Sequence, residues 1–382
     1  MDRKAVNEIR KLFNKNDCRI DKLRGCFVDE NKQRVFEMKE NFLALPDEEF
    51  VKYSDLFKKA MSGRFGRTLF NLEFPSEEEQ EGGRQEFLYR LNRSGLMDET
   101  LLDEFYRKLI EKLQIQGKYL ILAAHGVYDV PGRTSDNLEM EDASEYIYEF
   151  TACAICPITL TKEGLCCDAA AKTFVARPQD LGVDRPLLGF LFPAFNDRAG
   201  DIHAALYYSR KADERHEELV RDFLGTELPP DEEAQRSVFR RVIEETLGRD
   251  CGFAQVKEIN EAVGEMVEAA KDSPEPAVLD KADMRKLLED SGADADTMKK
   301  FETVYDENVE DGTALLAENV TDTSRLEVKT NGMKLSVKAE MAPIVETRVI
   351  DGIEYFLIPV SDDVEVNGIR IRSRRQPEPG QE

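Results

Sequence analysis

Gly189-Phe-Leu-Phe-Pro-Ala-Phe-Asn-Asp-Arg-Ala-Gly-Asp-Ile-His-Ala-Ala-Leu-Tyr-Tyr-Ser-Arg210 joins an aromatic apolar run, a polar turn and a second apolar run in one uninterrupted piece. The first run, Gly189 to Phe195, is short, continuous and bounded by turn residues, which is the pattern of a strand buried on both faces. Asp201 stands immediately before Ile202, Ala205, Leu206 and Tyr208, where an N-cap belongs, so the spacing predicts a helix beginning near Ile202. Between them, Asn196 to Asp201 forms a capped polar turn, and the whole stretch organises a core.

Two further strands accompany it. Tyr119-Leu-Ile-Leu-Ala-Ala124 is another continuous apolar run, ending on His125-Gly126-Val127-Tyr128-Asp129, and residues 146–160 read as a long strand through Phe150, Cys153, Ile155 and Ile158. Upstream, Val6, Ile9, Leu12 and Phe13 share a helical face, and residues 20–28 and 33–39 alternate around Asp29-Glu30-Asn31-Lys32 as a hairpin. Pro46 with Asp47, Glu48 and Glu49 starts a helix that Gly63 stops, residues 68–74 are strand-like, and Leu101, Leu102, Phe105, Leu109 and Leu113 repeat at helical spacing.

Strands and helices mix rather than alternate strictly, which predicts an α+β fold: a mixed-sheet core with flanking helices over residues 1–271, divisible near 116. Residues 213–271 read as helical, and 272–276 form a proline-broken linker. A smaller C-terminal α+β module containing β-hairpins then spans 277–370. Asn331-Gly332 and Asp351-Gly352 are its preferred turn pairs, and a flexible tail follows over 371–382.

The 382 residues carry 77 acidic and 53 basic side chains, a net charge of −24, which repels phosphate backbones and anionic membranes at long range. A protein partner therefore fits better than a nucleic acid. The N-terminus has no apolar core of signal-peptide type and no window spans a bilayer, so no membrane is expected. Seven Cys, an odd number, suit reduced thiols and the cytoplasm.

Only three His occur, at 125, 203 and 216. His125 ends a buried strand, with Asp129 four residues on. If that strand neighbours the opening stretch, His125, Asp129, Asp197, Asp201 and His203 could form an acid–base set or hold a divalent ion. The bland alternative is a turn, an N-cap and ordinary packing. Arg64 and Arg67, in Ser62-Gly63-Arg64-Phe65-Gly66-Arg67, are a candidate anion-binding turn, set against a plain helix C-cap. Cys153, Cys156, Cys166 and Cys167 can be read as a zinc set, but Cys153 and Cys156 three apart on a strand face opposite sides, which favours buried thiols. No hydrolase elbow, zincin, Walker or kinase motif occurs, and no cofactor is indicated.

Several separated blocks carry a resemblance. Leu120-Ile-Leu-Ala-Ala-His-Gly-Val-Tyr-Asp-Val-Pro131, Cys153-Ala-Ile-Cys-Pro157, Gly189 to Arg198, Ala205-Leu-Tyr-Tyr208 and Val345-Glu-Thr-Arg-Val-Ile-Asp-Gly352 resemble the bacterial family filed as domain of unknown function 4317. The resemblance implies a cytosolic bacterial protein and assigns no residue a role. The first functional expectation is a non-catalytic interaction or regulatory protein. A divalent-metal hydrolase using the His/Asp set is the second, and an RNA- or ribosome-associated factor using Arg370, Arg372, Arg374 and Arg375 is the third.

Overall fold

The computed structural model describes residues 1–133, 139–177, 179–248, 251–271, 273, 276–309, 315–322, 325–358, 364–366 and 368–371. The chain divides into two compact units, Met1–Asp231 and Glu232–Glu382. Arg372, Arg374, Arg375 and the expected tail lie outside the described residues, as does much of the expected linker.

The first unit is built on one sheet. Its strands are β1 (Ile20–Val28), β2 (Arg34–Asn41), β3 (Leu69–Glu73), β4 (Lys118–Arg133), β5 (Glu139–Leu160), β8 (Leu181–Val183), β9 (Leu188–Phe192) and β12 (Ala204–Ser209). They run in the order β2-β1-β4-β5-β9-β12-β3, with β8 beside β5. The hairpins β6–β7 (Gly164–Asp168, Thr173–Arg177) and β10–β11 (Ala194–Asn196, Ala199–Asp201) stand apart from it. The α+β class holds, but the expected mixed sheet is antiparallel at every pairing of these strands. The long helices fall before β4 rather than between neighbouring strands, so no parallel crossover is formed.

Both faces of this sheet are covered, which is why its strands read as continuous apolar runs. Tyr119, Ile121 and Ala123 face a cluster with Phe87 and Leu91 of α3 (Arg84–Arg93) and Phe105 and Leu109 of α4 (Glu99–Lys112). The alternate residues Leu120, Leu122 and Ala124 face Val6 and Ile9 of α1 (Arg3–Lys11) and Phe50 and Phe57 of α2 (Asp47–Ala60). A Cβ on Gly189 would come within 2.7 Å of both Ala60 Cβ and the Cys153 carbonyl, so glycine there lets α2 lie directly on β9.

The helix expected from Ile202 is instead strand β12, paired with both β9 and β3. Ala205 and Tyr207 enter one core cluster and Leu206 and Tyr208 the other. A five-residue run, Ala204 to Tyr208, apolar on both faces satisfies helix and strand periods alike, and length favours the strand. A short helix, α5 (Glu217–Leu219), runs on as a π-helical turn through Leu224 and closes the unit.

The second unit contains α6 (Glu232–Leu247), α7 (Phe253–Ala269), α8 (Lys281–Asp290), α9 (Ala295–Asn308) and α10 (Ala317–Val320), with the short pair β13–β14 (Val278–Leu279, Leu315–Leu316). Helices α6 and α7, assigned above to the first domain, belong here. Phe239, Val242, Ile259 and Val263 share one apolar cluster with Leu288, Phe301 and Leu315. Helical periodicity shows which face is buried, not which domain buries it. Three hairpins follow: β15–β16 (Arg325–Lys329, Lys334–Lys338), β17–β18 (Glu346–Ile350, Ile353–Leu357) and β19–β20 (Val364–Val366, Ile369–Ile371). Asp351 and Gly352, at φ 53° and 77°, form the expected tight turn.

Candidate functional site

The polar centre of the first unit begins with an irregularity in β1. Ile20 pairs with Gly126 and Lys22 with His125, leaving Asp21 as the extra residue of a β-bulge. The bulge turns the Asp21 carboxylate toward the next strand, where His125 Nδ1 donates to it at 2.8 Å. The other ring nitrogen, Nε2, is buried without a hydrogen-bond partner.

Neighbouring groups enclose this pair. Directly across β5, Thr151 donates its hydroxyl to Asn92 Oδ1 at 2.9 Å, and Asn92 donates to the Glu149 carbonyl at 3.0 Å. Buried Arg24 donates to the carbonyls of Leu96, Leu23 and Glu40 at 3.0, 2.9 and 3.2 Å. It thereby fixes the turn between α3 and α4. Gly95 and Leu96 of that turn are left-handed, at φ 60° and 55°, and Gly95 lies over the imidazole edge. Asp98 then caps α4 by accepting from the Thr100 and Leu101 amides.

A carboxylate-oriented imidazole is the arrangement that holds a general base in place. Here His125 is 5% exposed, and the hydroxyl opposite it is committed to Asn92. The pair therefore ties β1 to β4 beneath a fixed turn rather than presenting a base to solvent. Partial burial pushes the Asp21 pKa up, but the hydrogen bond and charge of His125, with the charge of Lys22, outweigh it and leave the pKa lowered.

The other expected site residues lie elsewhere. Asp129 is on β4, opposite Ile147, and four residues of strand place it about 13 Å from His125. Strand β5 separates β4 from β9, so the neighbouring strands on which the five-residue set depended are not neighbours. Asp197 lies in the β10–β11 turn. That turn reaches the far end of β4, where Arg198 donates to the Pro131 carbonyl at 2.8 Å and pairs with Glu8 at 3.0 Å. Asp201 accepts from the His203 amide at 3.0 Å and from Asn196 Nδ2 at 2.7 Å, closing a turn instead of capping a helix. Exposed His203 pairs with Glu79 at 2.7 Å, and the hydrogen bond and charge of that carboxylate raise its pKa. Among the described residues, no three His, Cys, Asp or Glu side chains are grouped to hold a metal.

At the arginine turn, the Gly66 amide bonds Leu69 O, those of Arg67, Thr68 and Leu69 bond Arg64 O, and that of Arg64 bonds Thr68 Oγ1. These amides close their own turn and offer an anion no open nest. Cys153 and Cys156 enter opposite core clusters, and burial raises both thiol pKa values, that of Cys156 to about 12. Cys166 and Cys167 are exposed on β6.

Asp21, Arg24, Asn92 and Thr151 escaped the sequence reading. A carboxylate inside an otherwise strand-like run is the one available signal, because Asp is depleted from strand interiors. The second unit holds a groove of about 1390 Å³ between α6, α7 and β15–β16. Six basic and six acidic side chains line it, so it favours neither sign of ligand.

The chain belongs to the family described as domain of unknown function (DUF4317), whose model matches residues 1–369. No curated protein matches it. Among the described residues, no helix is long and apolar enough to cross a membrane.

Proposed function

We propose that this family member is a non-catalytic interaction or regulatory protein of the bacterial cytosol, and that its second unit meets a protein partner through β17–β18. The observation that carries the proposal is the exposed apolar face of that hairpin. Ile350, Ile353 and Tyr355 lie on one face, with Ile353 59% and Tyr355 44% exposed. The opposite face is anchored: Phe356 meets Phe253 of α7 edge-on at 5.0 Å, and Lys257 donates to the Pro343 and Val345 carbonyls at 3.1 and 3.2 Å. A held strand pair that leaves aromatic and branched side chains in water has the character of a docking surface.

Charge narrows the partner. A chain of net charge −24 associates best with an apolar patch ringed by basic groups. All seven cysteines are free thiols, which suits a reducing compartment. The reading does not draw on the His/Asp set, whose members lie on β4 and in the segment from the β10–β11 turn to His203.

Affinity capture from native lysate tests the proposal. The full chain should retain a stoichiometric protein partner, and Ile353→Ser/Tyr355→Ser should lose it while keeping its circular dichroism spectrum. No stoichiometric partner, or undiminished capture by the variant, counts against the reading.

A further inference from the structure

The edge of β17 is a surface distinct from the face just described. Among the described residues β17 pairs only with β18, which leaves its other backbone edge without a strand. Its sequence, Glu346-Thr347-Arg348-Val349-Ile350, is self-complementary. We propose that β17 pairs antiparallel with β17 of a second copy about a two-fold axis through Thr347.

Charge selects both the occupant and the register. Around Thr347, Glu346 of each copy lies opposite Arg348 of the other, giving two cross-strand ion pairs on the outward face. Centring the axis one residue later sets Arg348 against Arg348, and one residue earlier sets Glu346 against Glu346, so slipped registers oppose like charges. Within one chain the two side chains approach only to 3.9 Å, and both are about two-thirds exposed, so they are available for exchange. The resulting four-stranded sheet doubles the apolar face of Ile350, Ile353 and Tyr355. The copies repel through their −24 charges at long range, but physiological salt screens charges beyond about 8 Å.

Sedimentation of the full chain over a range of concentrations, at physiological ionic strength, tests the pairing. The unmodified protein should dimerise reversibly. Arg348→Glu and Glu346→Arg should each raise the dissociation constant about tenfold or more. An equimolar mixture of these two variants should regain dimer as a heterodimer, and the double variant Glu346→Arg/Arg348→Glu should dimerise by itself. A chain that stays monomeric at every concentration, or a dimer indifferent to Arg348→Glu, overturns the pairing. If a monomeric chain still captures a partner through Ile353 and Tyr355, the two-fold edge fails and the docking face stands.

Discussion

Strands β4 and β5 of the first unit and strands β17 and β18 of the second are both antiparallel pairs rich in branched and aromatic side chains, yet their surroundings differ. On β4, Ile121 and Leu122 point to opposite faces and neither reaches water, because helices cover both sides. On β17–β18 one face meets α7 through Phe356 while its Val349 stays in solvent, and the other holds Ile350, Ile353 and Tyr355 in solvent. The first pair uses its apolar residues to hold the unit together. The second leaves them available, and the His125–Asp21 tie, with its imidazole buried, belongs with the first kind of use.

The contrast breaks first in the core. Phe150 is fully buried and stacks on Tyr148 at 5.0 Å, so Phe150→Ala should cost about 3–5 kcal/mol in urea unfolding of the first unit. A cost below about 1 kcal/mol would mean the sheet is not the core described. Gly189→Ala forces a methyl against α2 and the β5 backbone and should cost about 1–3 kcal/mol by the same measurement.

The Asp21–His125 tie should show as pH dependence. The folded pKa of Asp21 is lowered, so its contribution is fully present above the unfolded value of about 3.9 and is lost as pH falls through the folded value. Wild type should exceed Asp21→Asn in stability at neutral pH, and the gap should close as pH drops below about 4. A gap that stays constant into acid would show that the charge of Asp21 contributes nothing. At the small end, Ile353→Ser/Tyr355→Ser should change unfolding by no more than about 0.5 kcal/mol per site, because it removes exposed groups. A large loss would place those side chains in a core.

Much of this architecture was legible in the residues. Val6 and Ile9 at helical spacing, Pro46 ahead of three acids, and Asp351-Gly352 between alternating runs each specify a local structure by a local rule, and each forms it. Ala204 to Tyr208 did not, because a run covered on both faces loses the period that separates strand from helix. Phe239 and Ile259 mark buried faces without stating which unit buries them. The candidate site was half legible. His125 stood out by rarity and by its place on a buried strand, but its partner Asp21 depends on a one-residue bulge that no period announces. Asp129, four residues away, would neighbour His125 on a helix and cannot on a strand.

If function rests on the exposed hairpin face, as proposed, it should be independent of the buried imidazole. Side-by-side capture with wild type, Ile353→Ser/Tyr355→Ser and His125→Gln, each at matched folded concentration, tests it most directly. The hairpin variant should lose the partner and His125→Gln should retain it. Loss with His125→Gln and retention by the hairpin variant would contradict it.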